Sequence, residues 1–337
     1  MFLKNLLNFF IISLILFTTA CNKSFLPETF SRELQTESFF EAAQRLKWDL
    51  NLCENKNFIY YKNDSGIWKY DKTSHKEEQI LAEKSVDYIY LEGNLLYYAS
   101  HKKNKNEFIE ERYIYELSIE GKKQLVCKTS DFAKYDGLPE IGSVFFKFNE
   151  MFYIYYFNGG LLKFNSVSKK IEIFNNDIGF DCLLGNKFYN TGFRKNSYQE
   201  TNFINETNLL TGEQKHIYIT KKTMSSHLDI IAFDDELFFT NEYNELCKFL
   251  NNGKMEKIFV SNSIEGITFP NQCINEFLYY CIENGNNNSL YRYDPKTGNN
   301  IFKCELPSYF NYGYIIFHDV LIYIGSNNEY HYILIED

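Results

Sequence analysis

The chain has 337 residues, with 27 Tyr, 32 Phe, only 5 Pro and a hydrophobic fraction of 45%, which excludes a disordered polymer and points to many half-buried strands. Its formal charge of -9, with acidic and basic residues interspersed, excludes nucleic-acid binding, because phosphates call for a basic face. Length alone admits two average domains or a single all-β wheel, so organisation has to decide.

The first residues, MFLKN, carry one Lys and are followed by the apolar run LLNFFIISLILFTTA and then Cys21, the layout of an export signal. Phe17-Thr18-Thr19-Ala20-Cys21 resembles the lipobox of bacterial lipoproteins. Ala20 is small, as in that family, whereas Thr18 stands where the family usually has Leu or Val. The resemblance implies a signal peptide over residues 1–20, a diacylglycerated Cys21 and a chain held by its lipid to a membrane of the bacterial cell envelope, periplasmic or surface-exposed. An uncleaved anchor or a plain secretory signal is the alternative. No later stretch has the roughly 18 uninterrupted apolar residues that a second span needs.

Beyond the signal, a two-part hairpin signal recurs. It appears as FIYYKNDSGIWKYDKTS from Phe58, LLYYASHKKNKNEFIEERYIYELSIEGKK from Leu95 and MFYIYYFNGGLLKFNSVSKK from Met151. It returns from Lys187, Glu236, Glu276 and Val320. Alternation within FIYY and YRYD suits strands. A short apolar strand precedes most copies, as VDYIYL at Val86 and LDIIAF at Leu228, and another follows, as EEQIL and KIEIF. Four antiparallel strands per period of about 40 residues predict propeller blades. The fold class is therefore all-β, a seven-bladed β-propeller of four-stranded antiparallel blades, with six or eight blades as the neighbouring counts. Turn chemistry at Asp71-Lys72-Thr73, Leu210-Thr211-Gly212 and Asp294 to Gly298 makes tight third-to-fourth-strand connections. The last copy ends after its third strand, so a stretch between about Phe25 and Gln44 is expected to close the ring as an outer strand. SRELQTESFFEAAQRLKW also reads as the start of a short helix. Residues 21–45 are then tether and closing strand, and 46–337 the propeller.

The pattern LYY…LYRYDPKTG resembles bacterial propeller repeats related to those of low-density-lipoprotein-receptor propellers, although no Tyr-Trp-Thr-Asp string occurs. That resemblance implies binding of protein or carbohydrate rather than chemistry.

Strand direction alternates within a blade, so second-to-third connections and blade-to-blade connections emerge on one face. That face is expected to carry long loops from Ser100, Gly192 and Glu283 and an insertion from Thr129, with Tyr135, Arg194 and Tyr198 as candidate contact residues. Tolerated insertions are the plain alternative. Asp49, Asp87, Asp181 and Asp229 each stand near the start of an innermost strand. They form either an acidic rim at the channel mouth or turn caps bonded to local backbone amides. With Asp87, Asp181 or Asp229 as acid or base, the chain would act on an envelope polysaccharide as a lyase or hydrolase, but acidic residues are too common for sequence to select a pair. A third reading is a structural subunit of an envelope complex. Cys53, Cys127, Cys182, Cys247, Cys273, Cys281 and Cys304 include no C-x-x-C pair, and the six His are isolated, so neither metal nor disulfide framework is expected. No glycine-rich phosphate loop occurs, and no cofactor is expected.

Overall fold

The structure is a computed structural model that describes residues 32–103, 110–118, 121–132, 141–156, 160–175, 181–196, 199–221, 228–250, 253–260, 266–284, 287–307 and 313–336. A helix, α1 (Arg32–Leu46), comes first. Blade one is β1 (Leu52–Glu54), β2 (Phe58–Asn63), β3 (Gly66–Asp71) and β4 (Glu77–Leu81). Blade two is β5 (Val86–Glu92), β6 (Leu95–Lys103), β7 (Glu110–Leu117) and β8 (Lys123–Lys128). Blade three is β9 (Ile141–Phe148), β10 (Met151–Tyr156), β11 (Gly160–Asn165) and β12 (Ile171–Asn175). Blade four is β13 (Cys182–Leu184), β14 (Lys187–Asn196), β15 (Gln199–Asn208) and β16 (Gln214–Ile219). Blade five is β17 (Ile230–Phe233), β18 (Glu236–Thr240), β19 (Leu246–Phe249) and β20 (Met255–Phe259). Next come β21 (Gly266–Thr268), β22 (Gln272–Ile274), β23 (Leu278–Asn284), β24 (Asn287–Asp294) and β25 (Asn299–Leu306), then β26 (Tyr314–Phe317), β27 (Val320–Ile324) and β28 (Tyr330–Leu334). Blade six orders as β21-β23-β24-β25 and blade seven as β22-β26-β27-β28. The molecule is a seven-bladed, all-β propeller.

Aromatic strands make this ring because a single blade has two apolar faces and can hide neither alone. One core cluster accordingly runs through three blades, from Tyr90 and Tyr97 through Phe145, Phe146 and Phe152 to Phe188. Phe146 stacks on Tyr153 at 4.8 Å between centroids and reaches Phe188 of blade four at 6.3 Å. Each such ring buries about 150–250 Å², which is why Tyr and Phe dominate the composition. The turns after the third strands are held by side-chain oxygens. Asp71 Oδ1 accepts the Thr73 and Ser74 amides at 2.8 and 2.9 Å, and Asn208 Oδ1 accepts those of Leu210 and Thr211 at 2.9 and 3.2 Å. Asp294 takes the Lys296 amide at 2.9 Å and the Thr297 hydroxyl at 2.8 Å.

Closure differs from the expected N-terminal strand. The described part of the stretch from Phe25 to Gln44 lies in α1, and blade seven takes its fourth strand from inside the ring, where β22 pairs with β26 in parallel. The cause is in the residues. Phe39, Ala42, Ala43 and Leu46 recur at helical spacing and are all buried, among good helix formers such as Glu41 and Gln44. Those four side chains pack on Tyr70 of blade one and Phe317, Val320 and Ile322 of blade seven. Polar bonds complete the seam: Tyr330 donates to Asp49 at 2.5 Å, Tyr332 to the Trp48 carbonyl at 3.0 Å, and Gln272 to the Leu52 carbonyl at 2.8 Å.

The expected loop from Gly192 is also corrected. β14 and β15 pair without a break from Lys187↔Asn208 to Asn196↔Gln199, so that segment is a protruding hairpin. β23 and β24 likewise pair out to Asn284↔Asn287. Polar Asn, Lys and Gln side chains mark these residues as loop in the sequence, yet an antiparallel pair beyond the blade body needs only its ladder, not a buried face.

Candidate functional site at the channel mouth

β1 lies beside β5, β5 beside β9, and β13 beside β17 around the axis. They enclose a central cavity of about 560 Å³ lined by residues of β1, β5, β9, β13 and β17 and by Phe269 to Ile274. The innermost strands occupy equivalent positions and run in one direction, so their N-terminal ends gather at one mouth and their C-terminal ends at the other. The protruding hairpins of blades four and six share the first of these mouths.

One segment serves two blades here, β21 in blade six and β22 in blade seven. The segment leaves the blade-six ladder after Thr268 and joins blade seven at Gln272, and Pro270 between them has no N–H to offer a ladder. The amide of Phe269, freed by that switch, donates to Asp229 Oδ2 at 2.8 Å, while Oδ1 accepts the Ile230 amide at 3.0 Å. Asn51 bridges blades one and two in the same manner, receiving the Ile89 amide at 2.5 Å and donating to the Ile89 carbonyl at 3.3 Å.

Of the four carboxylates near strand starts, the structure brings two together on the cavity. Asp181 and Asp229 immediately precede the adjacent strands β13 and β17 and both line it. Asp181 Oδ2 takes the Thr191 amide and, at 2.8 Å, its hydroxyl. Burial pushes the Asp229 carboxyl up to about 7, opposed by the Phe269 amide and reinforced by the charges of Asp181 and Glu283. Asp181 is also pushed up by burial, against its Thr191 donors, although solvent in the channel reaches it. The other two are engaged elsewhere. Asp49 is bonded by Lys62, Tyr330 and the Leu50 amide, and Asp87 by His101 at 2.9 Å with Arg112 at 3.6 Å. The four therefore form no common rim, because residues at strand starts point to different blade faces according to the local register. Among the described residues no three His, Cys, Asp or Glu side chains converge on a metal position, and the seven described cysteines are unpaired with one another. Burial raises the Cys182 thiol well above its ordinary value, which makes it a poor nucleophile.

Cys21, Tyr135 and Tyr198 lie outside the described residues, and only the backbone of Arg194 is described, in β14 opposite Thr201. Glu54 carries no signal in the sequence that sets it apart. It ends β1 and lines the cavity, and its side chain is 2% exposed, with Oε2 at 2.5 Å from Lys72 and 3.3 Å from His318. Among the described residues its Oε1 has no hydrogen-bond partner.

No protein-family model matches the chain, and no curated protein matches it in sequence. Solved structures do resemble it in fold. The β-propeller domain of the Trilobed protease from Pyrococcus furiosus, described as having an open velcro topology, is 10% identical with a TM-score of 0.51, over 84% of this chain and 93% of that one. A chain of the mitotic checkpoint complex is 8% identical with a TM-score of 0.50, over 86% and 89%. Oligogalacturonate lyase from Vibrio parahaemolyticus is 13% identical with a TM-score of 0.48, over 85% and 82%. At these identities the likeness is one of fold alone.

Proposed function

We propose that the chain is a binding module of the bacterial cell envelope, held to a membrane by a lipid on Cys21, that captures a protein or glycan on the face bearing the hairpins and the Asp181–Asp229 mouth. The observation that carries this reading is the placement of the extended β14–β15 hairpin and an acidic cavity mouth on one side of a rigid ring. The lipobox-like string and the receptor-like repeat pattern support the address and the binding role. Among the described residues no helix is long and apolar enough to cross a membrane. The test is capture from envelope extract by the full chain and by a variant in which residues 195–200 are replaced by Asn-Gly, a turn that closes a hairpin without strain. Loss of the captured partner in the variant is expected. Equal recovery contradicts the use of this face.

A polysaccharide-acting enzyme is the second reading, favoured by the elevated Asp229 carboxyl beside Asp181, since acid–base work needs such pairs. Turnover on envelope glycans that survives both Asp181→Asn and Asp229→Asn removes these two residues as its acid and base, and no turnover on any envelope glycan contradicts the reading.

A further inference from the structure

The outer rim carries a contact surface independent of the channel mouth: we propose that the outer edge of β28 pairs with β28 of a second copy of this chain. Six blades carry a fourth strand outside the third, β4 on β3, β8 on β7, β12 on β11, β16 on β15, β20 on β19 and β25 on β24, whereas blade seven ends at β28 among the described residues. The ladder fixes which groups this leaves. The Gly325 amide donates to the Glu329 carbonyl at 2.9 Å and the Ile335 amide to the Asp319 carbonyl at 2.7 Å, with Tyr323 opposite His331 and Leu321 opposite Ile333 between them. Bonded and non-bonded pairs alternate along an antiparallel ladder, so His331 and Ile333 bond β27 while Tyr330, Tyr332 and Leu334 turn their N–H and C=O outward. The cluster that includes α1 takes the rings of Tyr330 and Tyr332, which covers a sheet face and leaves the edge.

A second observation comes from the residues of this edge. Each of the other outer strands carries charge, Glu77 in β4, Lys123 in β8, Glu172 in β12, Lys215 in β16, Glu256 in β20 and Lys303 in β25, the device by which sheet edges avoid pairing with other chains. From Tyr330 to Ile335 the chain reads YHYILI, without an acid, Lys, Arg, Pro or Gly. Such a run of strand formers on an edge invites a further strand.

The second copy fits because a two-fold axis through Tyr332 gives a register that uses every outward group. Tyr332 then stands opposite Tyr332 of the second copy and Tyr330 opposite Leu334, each pair exchanging both N–H···O=C bonds, while His331 stands opposite Ile333. Charge fits as well. The flanking acids Glu329 and Glu336 fall opposite Ile335 and the turn at Asn328, so no acid meets an acid although each chain carries a formal -9. An edge of 5 residues buries less than the roughly 1,200 Å² of a standard interface. The pairing is therefore weak in dilute solution and strengthened where two copies share a surface.

Sedimentation equilibrium of the full chain in mild detergent, from about 1 to about 200 µM, tests the pairing together with Leu334→Pro and Leu334→Lys. Leu334 is 36% exposed and its N–H takes no part in the β27 ladder, so both variants keep the blade, as circular dichroism will show. The first removes an outward donor and the second sets a charge on the edge. A monomer–dimer equilibrium is expected, weakened at least about tenfold in each variant. Copper-phenanthroline oxidation reads the register. Tyr332→Cys should give a cross-linked dimer, its two Cα atoms lying about 5.5 Å apart across the axis, and His331→Cys should give none above the wild-type background. A dimer unchanged in both Leu334 variants, or cross-linking that is equal at 331 and 332, overturns the proposal. So does a monomer throughout, and hydrogen exchange then separates the alternatives: protected Tyr330, Tyr332 and Leu334 amides assign the edge to another segment of the same chain, and unprotected ones leave it to a foreign strand.

Discussion

Asp229→Asn isolates the electrostatic cost of the channel mouth. The substitution removes the ability to ionise and keeps one side-chain oxygen for the Phe269 amide, while its NH2 turns a donor toward the Ile230 amide that Oδ1 accepts, a cost that does not change with pH. In the wild type the unfolded carboxyl loses its proton near its ordinary 3.8, while the folded one holds it to about 7. Between those values the folded state binds more protons than the unfolded one, so stability falls as pH rises and the loss is complete above pH 7. A displacement of that size corresponds to on the order of 4 kcal/mol. Solvent in the channel screens part of it, and about 2 kcal/mol is the working expectation. Urea unfolding of both proteins in the same detergent, followed by near-ultraviolet circular dichroism between about pH 4.5 and 8.5, measures the difference. Relative to the wild type, the Asn variant should gain about 2 kcal/mol between the acid and the alkaline end, on top of a pH-independent offset from the lost Ile230 bond. A difference that is constant with pH, or a variant that loses stability as pH rises, refutes the reasoning.

Three other outcomes follow from the seam and the blade edges. Phe39→Ala removes a ring that is 4% exposed and packs on Tyr70, Phe317 and His318, and should cost about 3 kcal/mol in denaturant unfolding; a loss under about 0.5 kcal/mol contradicts closure by α1. Lys72→Met strands Glu54, whose carboxyl burial pushes up but His318 and Lys72 hold below its ordinary range. It should cost about 3 kcal/mol at neutral pH, a penalty that shrinks in acid as the depressed wild-type carboxyl takes up its proton and the benefit of the pair is lost; a pH-independent penalty argues against the pairing. Gly66→Ala places a methyl 1.9 Å from the Leu81 carbonyl oxygen at a φ of +137°, so about 3 kcal/mol or a failure to fold is expected, and a wild-type melting curve excludes this β3–β4 geometry.

Much of the ring was legible from particular residues. Alternation in FIYY, LYYC and YRYD exposes the blade strands, since both faces of a blade are packed and each alternate side chain meets a neighbour. Asp71, Asn208 and Asp294 mark the outer turns because their short side chains bond the next amides. The closure was not legible by the same logic. An unfinished last blade suggests a borrowed outer strand, yet the borrowed strand is β22, on the inner edge, and its signal is only Pro270 interrupting an apolar run. The spacing of Phe39, Ala42, Ala43 and Leu46 carried the helix all along. The four Asp residues were found by position along the chain, but register decides which way each side chain turns, and so Asp181 and Asp229 meet at the cavity while Asp49 and Asp87 enter ion pairs. Glu54 reads as one more strand-end carboxylate until Lys72 and His318 are brought to it from 18 and 264 positions away.

The claim that the hairpin face and channel mouth form the binding surface is tested most directly by hydrogen–deuterium exchange of the full chain, free and with its captured partner. The account predicts new protection at residues 181–184, 228–233 and the outer halves of β14 and β15. Protection confined to the outer strands β4, β8 and β12, or to the opposite-face turns, contradicts it.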